Sequence, residues 1–495
     1  MGSRVLIWLA LTNLVLPGIA QPQQQDALAE KMFLSGRNLM RDKYYQQAIQ
    51  DFKSLISSYP ASNFTDNALL ELGRYYYHVE RNSQEALRFF QQIIDGYQGR
   101  DTTADAYYYK GLLLSEGAGS DQQLQDGLAN FLRTVQFYPN SLVVEDSLYH
   151  AGLVEQRLQH YEQAAEYFER CATEYPSGVA APSAQLALGD ALFYMGKTDR
   201  SMQEIQRVRD LYAERPDASA ALRSLALLWR FYYQLKIDPG SLYKSQELVV
   251  PKGPALIQEC GGMVFDPNQV LLFSDPKNAR IHIIGSDLRV TGGLGARRPA
   301  GVFADSDGGV VAADETGLTT RERFYPLTWT KPEKHESQPV GDAEDVIRTS
   351  FGDYYVLESG RVLHFSRTLV FDSVYAPGSG GGVESISVDA QDRIALLFKD
   401  KKVNIYDRRG KLVVSIPAAG PGYAFQDPTQ IRFDSYAHLY VLDRALHAIH
   451  IFDRQGKLIY QSVVTGMRSP KRLAVNGSGD IYVWDDKAPG IWVLK

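Results

Sequence analysis

The sequence predicts a multidomain chain, α then β, in which an all-α solenoid is followed by a six-bladed β-propeller. Three observations carry this prediction. A chain of 495 residues is too long for one hydrophobic core. A helical repeat recurs within residues 26–238, and an alternating repeat of about 42 residues recurs within 246–495. With 44% hydrophobic and 22% charged residues, both halves are expected to fold rather than remain disordered.

The first twenty residues have the layout of a secretory signal peptide. Arg4 precedes a mostly apolar run over 5–16, which leads into Pro17 and the small-residue site 18–20, so cleavage is expected after Ala20. The alternative, a membrane anchor, is disfavoured because the run is shorter than the about 20 residues needed to cross a bilayer. No cysteine follows the run, so a bacterial lipoprotein anchor is not expected. We therefore expect an exported protein, periplasmic or secreted, that is soluble after cleavage.

Charge and cysteine content exclude several classes of function. The chain has 52 basic and 58 acidic residues, a net charge of -6, and loss of Arg4 with the signal peptide would make it -7. Without basic blocks it lacks the electrostatic footprint of a nucleic-acid-binding protein. Cys171 and Cys260 are the two cysteines, so no disulfide framework or cysteine-rich metal site is expected. One inter-domain disulfide remains an alternative to buried free thiols.

Small residues and prolines recur in the first half at fixed offsets. Residues Gly36, Ala48, Phe52 and Pro60 lie at offsets 0, 12, 16 and 24, and the same offsets recur at Gly152, Ala164, Phe168 and Pro176. Looser copies begin at Gly73, Gly111 and Gly189. This pattern resembles the tetratricopeptide repeat, a helix-turn-helix unit of 34 residues. The resemblance implies five repeats, close helix crossings at the small residues, and a capping helix over 218–236.

The same resemblance implies a partner-binding groove, because the first helix of each repeat lines the concave face in that family. The residues expected in the groove are Arg37, Arg41, Arg74, Tyr77, Tyr108, Tyr149, Arg157, Phe193 and Tyr194. Tyrosine and arginine are enriched at interface hot spots, which favours proteins or peptides as partners. The alternative is that several of these tyrosines pack between repeats. Leu112, Leu153 and Asp190 replace the polar residues with which some family members hold a terminal carboxylate.

From about residue 246 the pattern alternates as in β-strands. An acidic residue follows an apolar strand six times, at Asp275, Asp314, Glu358, Asp400, Asp443 and Asp485, with spacings of 39 to 44 residues. Six such copies indicate a propeller. Residues 428–458 and 470–494 resemble the NHL repeat, which implies a six-bladed propeller serving as a binding platform. The last copy has three strands, and Gln246–Val250 is expected to supply the fourth and close the ring.

The sequence of the second half offers only weak candidates for catalytic or metal-binding sites. The six acids are expected to accept hydrogen bonds from the turn that follows each of them, and His282, His364 and His450 are expected to be structural. No metal ligands, catalytic residues or cofactor-binding residues are predicted. An irregular stretch over 318–345 is a candidate contact loop, with Arg321, Arg323, Tyr325 and Trp329 as its residues.

These features predict a non-enzymatic scaffold or adaptor of the cell envelope. The groove would bind protein partners, and the propeller face would bind a further protein, a peptide or a glycan. The alternative is a metal-dependent propeller hydrolase or lyase that is recruited through its helical repeats.

Overall fold

The computed structural model describes residues 22–251, 257–305, 308–331, 336–375 and 381–495. The predicted signal peptide lies outside these residues. The described chain divides into two compact units. One contains residues up to 116 together with 122–150, and the other contains 117–121 together with 151–495. The predicted fold class, a helical array followed by a six-bladed β-propeller, is confirmed.

Pairs of helices make up the first half of the chain. In order they are α1 (Pro22–Arg41), α2 (Tyr45–Ser58), α3 (Thr65–His78), α4 (Ser83–Gly96), α5 (Asp101–Glu116), α6 (Asp121–Phe137), α7 (Val144–Arg157), α8 (Tyr161–Glu174), α9 (Ala181–Tyr194), α10 (Thr198–Leu211) and α11 (Pro216–Trp229). The local sequence explains where several of these helices begin. Helices α9 and α11 begin with proline in the first turn, where its missing N–H costs nothing. The side chain of Asn82 caps α4 by accepting a hydrogen bond from the Glu85 N–H at 3.1 Å.

The repeat glycines lie where the two helices of a pair cross. A Cβ atom built on Gly152 would come within 2.5 Å of the Phe168 ring, which leaves no room for any side chain. The same relation holds in the other repeats, for the pairs Gly36 and Phe52, Gly73 and Phe90, Gly111 and Phe131, and Gly189 and Ile205. The close crossings predicted from the offsets are therefore confirmed.

A glycine-to-alanine substitution at such a crossing should destabilise the protein. Gly152→Ala is expected to cost about 1–3 kcal/mol through overpacking against Phe168, although alanine favours a helix over glycine by about 1 kcal/mol. Gly96→Ala is the control, because among the described residues nothing lies within 4 Å of a Cβ at that helical position. Urea denaturation should place Gly152→Ala below the wild type and Gly96→Ala at or above it. Equal midpoints for the two variants would contradict the crossing argument.

The predicted capping helix is present but is not one continuous α-helix. Helix α11 runs directly into a π-helix at Arg230–Gln234, followed by α12 (Leu235–Ile237). The sequence did not predict this wide turn. Such π-helical turns re-aim side chains and occur often at functional positions.

Six four-stranded antiparallel sheets form the second half in the described residues. The blades are β2–β5 (Gly262–Phe265, Leu271–Asp275, Arg280–Ile284, Val290–Gly295), β6–β9 (Pro299–Ala304, Val310–Asp314, Gly317–Thr320, Phe324–Pro326), β12–β15 (Ala343–Arg348, Tyr354–Glu358, Arg361–Phe365, Phe371–Tyr375), β16–β19 (Val383–Val388, Ile394–Phe398, Val403–Tyr406, Leu412–Ile416), β22–β25 (Pro428–Phe433, Leu439–Asp443, Ala448–Phe452, Leu458–Val463) and β26–β28 (Pro470–Val475, Ile481–Asp485, Gly490–Leu494) with β1 (Gln246–Val249). Two short hairpins, β10–β11 (Thr328–Thr330, Ser337–Pro339) and β20–β21 (Ala419–Gly420, Tyr423–Ala424), lie between blades.

The ring closes as the sequence predicted. Strand β1 pairs antiparallel with β28, with Gln246 opposite Leu494 and Val249 opposite Ile491. The first strands of the six blades contact one another in a closed circle and line the central channel. Closure leaves no unpaired sheet edge between the first and last blades.

Five of the six repeated acids are buried and bind backbone N–H groups. Asp485, for example, accepts from Arg468 N at 2.6 Å and from Ala488 N at 3.1 Å. Donors therefore come from the segment entering the blade as well as from the following turn, whereas the sequence predicted the following turn alone. Asp275, Asp314 and Asp443 bind N–H groups of the entering segment in the same way. Glu358 accepts one such bond.

The fourth acid was assigned wrongly. Val383 opposes Phe398 at the register position where Pro428 opposes Asp443 and Pro470 opposes Asp485. Asp400 lies two residues further on, is exposed, and pairs with Lys402 at 3.0 Å. Blade four therefore has a buried phenylalanine in place of the acid.

His282, His450 and both cysteines are buried in the second unit, whereas His364 is partly exposed and pairs with Asp372 at 3.0 Å. His282 lies 3.3 Å from the Asp275 carboxylate, and burial lowers the pKa of both His282 and His450. Cys171 and Cys260 are buried free thiols, so the alternative of an inter-domain disulfide is wrong. Within the described ranges, no three His, Cys, Asp or Glu side chains are placed to hold a metal ion. None of the helices in the described part of the chain is both long and apolar enough to cross a bilayer.

Candidate functional site: the inner groove of the first unit

The first helices of successive pairs lie side by side in the first unit, α1 beside α3 and α3 beside α5. We call the face formed by α3, α5 and the start of α7 the inner groove. Its central side chains are Tyr77 on α3, Tyr108 on α5 and Asp146 on α7. Arg37 and Arg41, further towards the N-terminus on α1, are exposed. The guanidinium of Arg37 lies 5.7 Å from the Phe33 ring centroid, and Arg41 pairs with neighbouring Asp42.

An ion pair and a hydrogen bond fix the α3 side of the inner groove. Arg74 donates to Asp105 at 2.6 Å, and its guanidinium lies 5.4 Å from the Tyr109 ring centroid. The Tyr77 hydroxyl donates to Glu116 at 2.6 Å. These contacts hold the planar groups of α3 against α5, so the surface they present is pre-organised rather than mobile.

Tyr108 occupies the centre of the inner groove, where carboxylates outnumber cations. Burial raises its pKa, and the negative charges of Asp146 and Glu116 add to the rise. Burial also raises the pKa of Asp146. His150, whose ring lies 5.8 Å from that of Tyr108, has its pKa lowered to about 4 by burial, so it is neutral at physiological pH. The centre is therefore aromatic and carries net negative charge.

The tyrosines of the inner groove also pack on their neighbours, as the alternative interpretation expected. Tyr77 meets Tyr109 edge to face at 5.5 Å, and Tyr149 meets His150 in the same way at 5.5 Å. Tyr77, Tyr108 and Tyr149 all remain partly exposed. Each ring thus contributes both to packing and to the surface.

Comparison with known proteins identifies the repeat. Residues 146–178, which span α7 and α8, match the tetratricopeptide-repeat family model. Residues 146–178 form a tetratricopeptide repeat. The crossing glycines described above recur in all five pairs, which is consistent with this assignment.

Three known proteins are each similar to part of this chain. Outer membrane protein assembly factor BamD of Pasteurella multocida (strain Pm70) is 22% identical over 222 residues, which is 42% of this chain and 75% of that protein. A solved streptogramin B lyase is 9% identical with a TM-score of 0.39 and covers 51% of this chain and 97% of its own. A crystal structure of MamA is 18% identical with a TM-score of 0.31 and covers 39% of this chain and 94% of its own.

In the second unit, three of the predicted groove residues contact the propeller. Arg157 donates to the Ser350 carbonyl at 3.2 Å, and its guanidinium lies 5.0 Å from the Phe351 ring centroid. Phe193, on α9 of the fifth helix pair, is buried edge to face against Tyr436 at 4.7 Å. These side chains already have a partner within their own chain.

Tyr194 completes this contact. Its hydroxyl donates to the Ser435 carbonyl at 3.2 Å, and its ring lies 4.8 Å from the Arg454 guanidinium. Ser435 and Tyr436 belong to the turn between the first two strands of blade five. The inner faces of the last repeats therefore hold turns of the propeller rather than an open surface.

The π-helical turn of the cap makes a second set of contacts that the sequence did not reveal. Arg230 donates to the Gly479 carbonyl at 2.7 Å and forms an ion pair with Asp480 at 2.8 Å. Both side chains of the pair are largely buried. Phe231 packs on His438 with ring centroids 4.5 Å apart. The wide turn thus aims consecutive side chains at blades five and six.

Asp190 is a half-buried carboxylate in this interface, where it accepts a hydrogen bond from the Tyr436 hydroxyl at 2.7 Å. Burial raises its pKa to about 6. A raised carboxyl pKa means that ionisation is disfavoured in the folded state, so stability is greatest at low pH and is lost as pH rises towards 6.

Asp190→Asn should therefore stabilise the second unit at neutral pH. The amide stays uncharged and can still accept from Tyr436, so we expect a gain of up to about 3 kcal/mol at pH 7.5 and little change at pH 4. Thermal denaturation of the variant and the wild type at both pH values measures this difference. A gain that is equal at both pH values would contradict the assigned cause.

The residues of the predicted contact loop of the propeller differ in their exposure. Trp329 is 2% exposed and packs in a hydrophobic core cluster, with its ring centroid 6.3 Å from that of Phe371. Arg321 and Arg323 are exposed, and the guanidinium of Arg323 lies 4.5 Å from the ring centroid of the half-buried Tyr325. Of the four predicted contact residues, Arg321, Arg323 and Tyr325 therefore keep part of their surface exposed.

Two adjoining cavities open at the channel mouth, at the end of the first strands opposite the turns that contact the repeats. Their volumes are about 210 and 330 Å³, and they share Glu344, Lys471 and Arg472. Lys471 bridges Glu259 at 3.3 Å and Asp486 at 3.4 Å. The mouth is therefore polar and carries charges of both signs.

Proposed function

We propose that this protein is a non-enzymatic interaction adaptor of the cell envelope and that the inner groove of its first unit binds a protein partner. The observation that carries the proposal is the pre-organised, partly exposed cluster of Tyr77, Tyr108 and Asp146 on three consecutive inner helices. Aromatic side chains held in place supply contact area at low entropic cost, which is the chemistry of interface hot spots.

Similarity to an assembly factor supports an envelope role. BamD, by its name, assists assembly of outer membrane proteins, and its similarity spans 222 residues of this chain. We propose that the partner belongs to the same process. A periplasmic location after removal of residues 1–20 is part of this proposal.

The propeller is proposed as a second binding platform. The turns between the first and second strands of blades three, five and six contact Arg157, Tyr194 and Arg230, so that end is occupied. The channel mouth lies at the other end of the same strands. A protein, a peptide or a glycan could therefore bind there while the groove holds its own partner.

Crosslinking followed by pull-down from the native envelope tests the groove. Tyr108→Ala and Asp146→Asn are expected to reduce partner recovery at least tenfold, the effect of losing one hot-spot side chain. Tyr44→Ala is the matched control, because Tyr44 is a tyrosine with 58% exposure outside the inner groove. If the wild type recovered no protein above background, or all three variants behaved alike, the groove proposal would be wrong.

The cavities at the channel mouth favour one other candidate, a metal-dependent propeller hydrolase or lyase. Carboxylates of Glu344 and Glu384 line the larger cavity. Titration of the full chain with calcium and with zinc separates the two candidates. Stoichiometric retention of either ion with micromolar affinity would favour the enzyme, and weak, non-stoichiometric binding would favour the adaptor.

A further inference from the structure

Blade four lacks the buried acid that the other blades have at the channel mouth. Phe398 replaces the buried acid that elsewhere binds the N–H groups of the entering segment. The cavity of about 330 Å³ lies at this position and is lined by Phe398, Lys399 and Lys401. The acid is thus missing at the place where the cavity lies. The volume of the cavity falls within the range of about 300–1,000 Å³ that is typical of ligand pockets.

The cavity is lined by charges of both signs, and of these Asp427 and Arg444 pair with each other at 2.7 Å. Among the described residues, neither Lys399 nor Lys401 has a carboxylate within 4.0 Å, although the adjacent Lys402 pairs with Asp400. Glu344 and Glu384 likewise have no cation within that distance in the described chain. Desolvation raises the pKa of Glu344 and the nearby carboxylate of Glu384 adds to the rise, whereas the positive charges of Arg472 and Lys399 oppose it.

A buried hydroxyl adds an independent observation. Thr429 lines the same cavity, and within the described ranges its buried Oγ1 atom has no hydrogen-bond partner. Buried polar atoms in folded proteins are nearly always hydrogen-bonded. The Thr429 hydroxyl is therefore an unsatisfied polar group in the wall of the cavity.

We propose that this cavity binds a small zwitterion, of the class of a free amino acid or a short peptide with both ends unblocked. Its ammonium group lies against Glu344 and Glu384, and its carboxylate lies against Lys399 and Lys401. A ligand with both groups offers an opposite charge to the two unpaired carboxylates and to the unpaired cations Lys399, Lys401 and Arg472 at once. A purely anionic or purely cationic ligand would leave one set exposed to like charge.

Isothermal titration calorimetry of the full chain with L-alanyl-L-alanine tests the proposal. Saturable one-to-one binding is expected, together with at least tenfold weaker binding of the N-acetylated peptide and of the C-terminal amide, since each lacks one charge-assisted contact. Glu384→Gln and Lys401→Gln are each expected to weaken binding of the unblocked peptide about tenfold. Lys402→Gln is the matched control and should leave binding unchanged.

Three results would overturn the proposal. These are the absence of saturable heat with a folded chain, equal binding of blocked and unblocked peptides, and insensitivity to both charge-removing variants. Preferential binding of glucuronate over the dipeptide would instead identify an acidic sugar as the ligand. Melting curves of each variant establish that it is folded. None of these outcomes depends on the groove, so failure here leaves the adaptor proposal standing.

Discussion

Removing residues 487–495 is expected to unfold the propeller while leaving the first unit helical. The deletion takes away strand β28, which lies between β27 and the closing strand β1. Ile491, Val493 and Leu494 are almost completely buried, and loss of three such side chains removes about 5 kcal/mol or more of apolar burial. That is comparable with the whole stability of a typical domain, about 5–15 kcal/mol.

Circular dichroism and limited proteolysis measure this outcome. The truncated chain should lose the near-ultraviolet signal of the propeller and become protease-sensitive after residue 246. Deletion of Lys495 alone is the control, because it removes only the two backbone hydrogen bonds with Ser245 and should cost about 1–2 kcal/mol. A truncated protein with the wild-type melting curve would show that closure by β1 is dispensable.

The second large effect is expected for Arg432→Ala, which should lower the free energy of unfolding by about 3–5 kcal/mol. Arg432, on the first strand of blade five, reaches past blade four to Asp345 of blade three at 3.1 Å. It also donates to the Ile386 carbonyl at 3.0 Å. The pair is largely buried, so removing the arginine leaves an uncompensated carboxylate inside the channel.

Two further variants separate burial of charge from loss of contact. The double variant Arg432→Met with Asp345→Leu should recover most of the lost stability, because a buried pair can be replaced by apolar groups of similar volume. Arg444→Ala removes an exposed pair with Asp427 in the same blade and should cost less than about 1 kcal/mol. Urea denaturation measures all three. Equal losses for Arg432→Ala and Arg444→Ala would contradict the argument.

Periodic and local features were predictable from the sequence. The crossing glycines follow from fixed offsets, because each one meets an aromatic or aliphatic residue 16 to 20 positions later within the same helix pair. Ring closure followed from a count of strands, because a repeat with three strands needs a fourth and Gln246–Val250 was the free strand. The first inference depends on residues close together in sequence, and the second depends on a unit that the sequence repeats.

Contacts between distant segments were not predictable. Tyr436 meets Asp190 across 246 positions, and a repeat pattern gives no information on such a pair. The family resemblance placed Phe193 and Tyr194 on the groove but could not show that the propeller's own turns lie against them. Register within blade four also failed, because Asp400 lies two residues from the correct position and strand periodicity alone does not distinguish Asp400 from Phe398.

The pairing of β1 with β28 also sets the order in which this protein can mature. The two strands are separated by 240 residues, so the ring cannot close until every blade has left the ribosome. Helix pairs depend on near neighbours and can form during synthesis, whereas the incomplete ring exposes a hydrophobic sheet edge throughout translation. Premature termination within the last blade would therefore give a chain with folded repeats and an unclosed, aggregation-prone propeller, a natural substrate for chaperones and proteases.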